Sequence, residues 1–162
     1  MRLVVYSDQN MTISRKRCIE SAKKYGIEDV HEWDEEMLHA TEFYQLNPDI
    51  FQEGARGAGC FWLFKSYIIY KAMLDANDGD VILYMDAGVE LINDPQYIIN
   101  VMKEDVFLFG NNYYNHEWCK KDVIDTIIGD IYETDTETGI TKICENPTYR
   151  QVQASVIFIR VS

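Results

Sequence analysis

Positive charge is scarce in this chain. Fifteen Lys and Arg stand against 27 Asp and Glu, a formal net charge of −12. A field of that sign argues against non-specific affinity for nucleic acid or for anionic membrane surfaces. It also means that an anionic ligand needs a local cation, a metal ion or a helix N-terminus where it binds. Paired cysteines are missing too. Cys18, Cys60, Cys119 and Cys144 are widely spaced and form no CxxC motif, which speaks against a zinc site or disulfide framework and for free thiols in a reducing compartment. The histidines His31, His39 and His116 have no metal-ligand spacing to one another. No apolar run approaches a membrane span, and the apolar part of the opening MRLVVYSD is too short for a secretion leader. A soluble, cytoplasmic protein is therefore the expectation. Internal repeats and low-complexity tracts are absent.

What the chain does have is alternation. Its 162 residues suit a single domain, 1–162, with a real core. Leu3–Tyr6 is a continuous apolar run, as in a buried strand. After the polar turn Ser7–Asn10, Thr12 or Ser14 can cap a helix with Cys18, Ala22 and Tyr25 inside and Gly26 at its end. Asp29–Trp33 reads as a second strand. Residues 34–58 have weak periodicity and read mostly as loop, with a short helix around Glu35–Phe43. From Trp62 to Ala76 the pattern is helical, with Lys65, Ile69, Ala72, Met73 and Ala76 on one side. A strand over Val81–Met85 follows, then a helix started by Asp94-Pro95 with Ile98, Ile99 and Met102 inward. Asp105–Gly110 reads as a buried strand, Trp118–Ile128 as a helix, Tyr132–Pro147 as a long loop or exposed hairpin, and Val152–Ile159 as a last strand. Such alternation predicts an α/β fold with a mainly parallel central sheet and helices on both faces. The chain stops as it leaves its last strand, so a natural chain running past Ser162 is expected.

The stretch GDVILYMDAGVELINDP, Gly79–Pro95, sharpens the question of function. Its apolar run ends at Asp86, followed by Ala87 and Gly88. In an open α/β sheet, ligands settle outside the carboxyl ends of the strands. A carboxylate there is costly unless something positive meets it, and a hard divalent cation bridging to phosphate oxygens is one such partner. Small residues after it let a ligand approach the backbone. Asp-Ala-Gly is equally a turn leaving a strand, and the three residues alone do not choose between the two readings.

The wider context carries a resemblance. The segment RGAGCFWLFKSYIIYKAMLDANDGDVILYMDAG, Arg56–Gly88, resembles the nucleotide-binding half of GT-A glycosyltransferases, in the microbial and viral group with a W-K helix and a Y-x-D-[AS]-G strand. Gly59, Phe61 or Trp62, and Lys65 match the helix pattern; Gly79, Asp80, Tyr84, Asp86, Ala87 and Gly88 match the strand. VVYSD (Val4–Asp8) is similar to the group's first strand, HEWCKKDVI (His116–Ile124) to its K-[RK]-D helix, and RQVQASVIFIR (Arg150–Arg160) to its Q-x-x-A-S strand. The matches span most of the chain, in order. They imply a Rossmann-like GT-A fold and transfer of a sugar from a nucleoside-diphosphate sugar, with UDP-sugar as the expected donor, to a saccharide acceptor. They also imply a Mn²⁺ or Mg²⁺ ion on the strand-end acid. Two positions depart from the pattern: Gly88 stands where a second Asp is usual, so that either Glu90 or a water substitutes or metal binding is weaker or absent, and Ser66 stands where Pro is usual.

Carried over residue by residue, the resemblance makes Tyr6, Ser7, Asp8, Arg56, Trp62, Lys65, Met85, Asp86, Ala87 and Gly88 candidates for holding the donor. Asp86 is the candidate metal ligand, and Asp86, Gln153 and Ser155 are candidates at the reaction centre. Tyr6 can stack on a base, Asp8 can accept from a ribose hydroxyl or base N–H, and Lys65 and Arg56 can meet a diphosphate. Each also has a plain structural reading: solvated surface for Lys65 and Arg56, a capped turn for Ser7 and Asp8, core for Trp62. The run Glu133, Asp135, Glu137 reads as a solvated loop. Spacing names no acid–base pair, and retaining and inverting transfer both stay open. Two rivals remain: a non-catalytic nucleotide-sugar or glycan-binding module, and a phosphatase of the haloacid-dehalogenase type, whose second Asp would be needed where Gly88 stands.

Overall fold

The computed structural model of the chain describes residues 1–52, 54–114, 132–134, 141–143 and 150–162. The expected helix over Trp118–Ile128, with His116, Cys119 and Cys144, lies outside them, as do Asp135 and Glu137.

The strands are β1 (Arg2–Tyr6), β2 (Asp29–Trp33), β3 (Val81–Asp86), β4 (Val106–Tyr114), β5 (Tyr132–Thr134), β6 (Thr141–Ile143) and β7 (Arg150–Arg160). Five of them form one sheet in the order β2-β1-β3-β7-β4, while β5 and β6 pair antiparallel with each other. β1 runs parallel to both β2 and β3, and a helix fills each crossover, as parallel pairing requires. β3 and β7 are antiparallel. The 105–160 backbone bond and the Phe107–Phe158 ring contact run β4 against β7 as well. The sheet is thus mixed, parallel on one side and antiparallel on the other, where a mainly parallel sheet was expected. β7 is the cause: it returns from the far end of the chain and enters between β3 and β4.

The helices are α1 (Thr12–Lys23), α2 (Glu35–His39), α3 (Glu42–Leu46), α4 (Phe64–Leu74) and α5 (Gln96–Val101). One sheet face carries Val4, Tyr6, Ile82 and Tyr84, packed on Phe64, Ile68, Ile69 and Ala72 of α4 and on Leu38 of α2. The alternate residues Leu3, Val5, Leu83 and Met85 point the other way and are fully buried. α1 packs there, with Cys18 and Ala22 inside as the spacing predicted. Each fully buried aliphatic side chain contributes roughly 1.5–3 kcal/mol, so β1 and β3 are held by burial on both faces.

Local chemistry sets the helix ends. Asp8 accepts from the Met11 amide and starts the turn into α1, Asp34 caps α2 by accepting from the Met37 amide, and Thr41 caps α3 from the Tyr44 amide. α2 falls within the short helix expected around Glu35–Phe43, while α3 runs on into residues expected to be loop. Asp94 accepts from the Gln96 amide at the start of α5. Of the stripe expected around α4, Ile69 and Ala72 are buried and Met73 and Ala76 pack against the core, but Lys65 is not part of it; Phe64 and Ile68 complete the buried face. Apolar residues ring that helix and blur its period. β4 is not buried: Val106 and Leu108 are exposed, because the strand lies at the sheet's edge.

The chain divides into two compact units, Met1–Leu108 with Ala154–Ser162, and Phe109–Gln153. The site described below belongs to the first.

Candidate functional site

Parallel register brings three strand ends level. Tyr6 pairs with Trp33 on one side and with Asp86 on the other. Arg15 of α1, largely buried, fixes this end of the sheet: its guanidinium donates to the Trp33 carbonyl at 2.8 Å and lies 2.8 Å from Glu32. Beyond Asp86 the chain turns sharply, with the Val89 amide donating to the Asp86 carbonyl at 2.9 Å. The next residues are tied to α1, because Ser21 Oγ accepts from the Leu91 amide and Arg17 pairs with Glu90 at 2.7 Å.

Tyr84 and Asp86 lie two apart on a strand and so share a face. The Tyr84 hydroxyl donates to Asp86 Oδ1 at 2.6 Å. Lys65, from the first turn of α4, places its ammonium 2.8 Å from the same oxygen. That ammonium also donates to the Ala154 carbonyl at 3.2 Å and sits 5.3 Å from the Tyr84 ring centre. Both bonds fall on Oδ1; among the described residues, Oδ2 has no hydrogen-bond partner. Burial first, and then the Asp86 charge, hold the Tyr84 hydroxyl protonated well above the ordinary phenol range.

A cavity of about 380 Å³ opens beside Asp86. Its walls include Tyr6, Ser7, Asp8, Trp62, Asp86, Ala87 and Gly88 from the sequence candidates, and add Met11, Gly57, Ala58, Phe64 and Tyr84. Tyr6 Oη and Ser7 Oγ are buried without a hydrogen-bond partner among the described residues. Buried polar atoms are seldom left so, and here both belong to residues lining the cavity. The Tyr6 ring is not available for stacking: it packs against Phe64 at 4.2 Å inside the core. Burial, then Glu35 and Asp8, push its hydroxyl far up as well.

Two neighbouring cavities share Asp8 with the first. One, of about 630 Å³, is lined by Arg56, His39, Tyr44 and Phe51 among others; the second, of about 460 Å³, by Arg15, Asp34, Glu35 and Glu36. The Arg56 guanidinium lies over the Trp62 ring at 5.3 Å. The loop that carries both is tightly wound. Gly57, Ala58 and Gly59 have φ of 61°, 56° and 74°, and Phe61 and Trp62 are also left-handed, which for the non-glycine residues costs energy. A Cβ on Gly57 would lie 2.4 Å from the Trp62 nitrogen.

Other candidates fall elsewhere. Met85 is fully buried and points to the opposite face from Tyr84 and Asp86, so only its backbone can face the cavity. Ser155, half-buried, follows the last ladder pair Met85–Val156 and so comes across from Asp86. Gln153 is exposed and belongs to the second unit. Gly88 has open space around it, since an added Cβ would meet only a methyl of Met11 at 3.8 Å. Sequence reasoning missed Arg15 and the tie from Tyr84 to Asp86. Arg15 stands three before Cys18 and seven before Ala22, on the inner stripe of α1, and the strand alternation places Tyr84 with Asp86.

The donor set at Asp86 does not fit a resident divalent ion. Among the described residues no three acidic, His or Cys side chains converge. Oδ1 is taken by Lys65 and Tyr84, position 88 is glycine, and Glu90 is bound to Arg17.

No protein-family model and no curated protein matches the chain. Among solved structures it is similar to an active-site mutant of LgtC (TM-score 0.50, 13% identity, covering 99% of this chain and 57% of that one). It is also similar to mouse xyloside xylosyltransferase 1 in its apo form (TM-score 0.51, 9% identity, 99% and 67%). The galactosyltransferase LgtC with donor and acceptor sugar analogs gives a TM-score of 0.49 at 15% identity, over 99% and 58%. The chain spans a little over half the length of LgtC. At such identities the likeness concerns the fold alone, a mixed α/β sheet with helices. No helix among the described residues is long and apolar enough to cross a membrane.

Proposed function

We propose that the chain is the donor-binding part of a glycosyltransferase, taking a nucleoside-diphosphate sugar in the cavity at Asp86 and passing the sugar to a saccharide hydroxyl. One observation carries this reading. Seven of the ten residues that the resemblance names for the donor (Tyr6, Ser7, Asp8, Trp62, Asp86, Ala87 and Gly88) line a single cavity, at the strand ends where α/β sheets receive ligands. The fold likeness to glycosyltransferases supports it.

In this reading Trp62 offers an aromatic face, Asp8 accepts from ribose or base, and the Tyr6 and Ser7 hydroxyls meet polar atoms of the donor. The acceptor oxygen forms a bond to the anomeric carbon as the bond from that carbon to the phosphate oxygen breaks. The nucleoside diphosphate leaves with the electron pair, and the acceptor hydroxyl's proton passes to the departing phosphate or to water. Stabilising its growing charge is the main demand on the site, and in this reading Lys65, paired with Asp86, meets it together with Arg56 of the neighbouring cavity. Ser155 faces the sugar.

Thermal shift with UDP, GDP, ADP and CMP, followed by assay of UDP-sugars for transfer and hydrolysis, tests the proposal. Stabilisation by a nucleoside diphosphate together with sugar release supports it. Stabilisation with neither transfer nor hydrolysis makes the chain a binding module, and no stabilisation by any nucleotide overturns the reading.

A further inference from the structure

Resting on that reading, we propose that the donor's diphosphate is held without a divalent cation, with Lys65 and Arg56 as its counter-charges and the Tyr6 and Ser7 hydroxyls as its neutral donors. Three independent observations converge on it. The carboxylate that would hold an ion is already neutralised by Lys65 at 2.8 Å, and its usual second acid is replaced by Gly88. The ammonium has three N–H donors; Asp86 Oδ1 and the Ala154 carbonyl take two, and the third remains for a phosphate oxygen. Tyr6 Oη and Ser7 Oγ, on residues more than nine-tenths buried that line the cavity, have no partner among the described residues. A ligand rich in acceptor oxygens satisfies both.

Charge decides where such a ligand can land. The chain is strongly acidic, so a diphosphate is repelled except where cations stand close. Arg56 lies over Trp62, which lines the cavity beside Asp86, and itself lines the adjoining one. Lys65 enters from the other side through Asp86. Asp86, which lines the cavity, then acts as a positioning residue: it holds the Lys65 ammonium at 2.8 Å and does not ligate a metal.

Isothermal titration of the whole chain with UDP and with GDP tests this, in EDTA and again in Mn²⁺ or Mg²⁺. The expected dissociation constants agree within about twofold across these conditions. Lys65→Met weakens binding at least tenfold, and Lys65→Arg restores most of it. Binding should also weaken as salt rises, and less steeply in Lys65→Met. Binding that EDTA weakens more than tenfold overturns the inference and leaves the donor site standing. Absence of nucleotide binding in every condition overturns the reading beneath it. The EDTA arm uses the natural chain, so it decides even where a Lys65 variant fails to fold.

Discussion

Removing one oxygen atom from each of two tyrosines should move stability in opposite directions. Tyr84 and Tyr6 stand on adjacent strands, Tyr84 opposite Val4 and Tyr6 opposite Asp86, and both are buried. The Tyr84 hydroxyl donates to the Asp86 carboxylate at 2.6 Å; the Tyr6 hydroxyl has no partner among the described residues. A hydrogen bond to a charged group is worth about 1.5–3 kcal/mol. Asp86 keeps 39% of its side chain exposed, so water can replace part of what Tyr84→Phe removes. The expected loss is therefore at the low end, about 1.5 kcal/mol. For a chain of this size each kcal/mol moves Tm by about 2–4 °C, giving a fall of roughly 3–6 °C. Tyr6→Phe instead deletes a buried donor that is unsatisfied, whose desolvation costs about 1–3 kcal/mol, so Tm should hold or rise. Thermal and guanidinium unfolding of the two variants, with unchanged denaturant slopes, provide the measurement. Equal falls in both, or a Tyr84→Phe protein as stable as the natural one, would refute the hydrogen bonding described at Asp86.

Three other outcomes follow from the geometry. Gly57→Ala puts a Cβ 2.4 Å from the Trp62 nitrogen at a φ of 61°, so it should cost more than about 2 kcal/mol and shift the Trp62 emission; a neutral effect in both readouts counts against the loop as described. Burial, with Glu90 and Asp86 adding, raises the Cys18 thiol from 9.0 to about 12. The unfolded chain then releases that proton first, so the thiol's contribution is intact below pH 9 and is lost between pH 9 and 12, at up to about 1.4 kcal/mol per pH unit. Cys18→Ala should flatten that part of the pH–stability curve, and iodoacetamide at pH 8 should spare Cys18 until the chain unfolds. Leu83→Ala, in a fully buried position of β3, should cost about 2–5 kcal/mol by denaturant titration.

How much of this was legible in the residues depends on the range of the interaction. β1 and β3 were readable because continuous apolar runs mark strands covered on both faces, and α1 because Cys18 and Ala22 repeat at helical spacing. α2 falls inside the short helix expected around Glu35–Phe43, but α3 is too short to show a period; its signal was Thr41 as a cap, which weighs little without one. β4 looked buried because Val106, Phe107, Leu108 and Phe109 are all apolar, yet burial at a sheet edge is set by neighbours far away in sequence. The site shows the same division. Asp86 is a candidate from its place at a strand end, and Tyr84 was findable as its neighbour from simple alternation, which also argues against a side-chain role for Met85. The Lys65–Asp86 pair bridges α4 and β3 across 21 positions and no spacing rule reaches it. It is the packing of α4 over Val4, Ile82 and Tyr84 that brings ammonium and carboxylate together.

A crystal structure of the chain soaked with a nucleoside-diphosphate sugar in EDTA tests the central claim most directly. The diphosphate should lie in the cavity between the ends of β1 and β3, with its oxygens within hydrogen-bond reach of Lys65 Nζ and the Tyr6 or Ser7 hydroxyl. Nucleotide density anywhere else on the chain, or an empty cavity at saturating ligand, would contradict it.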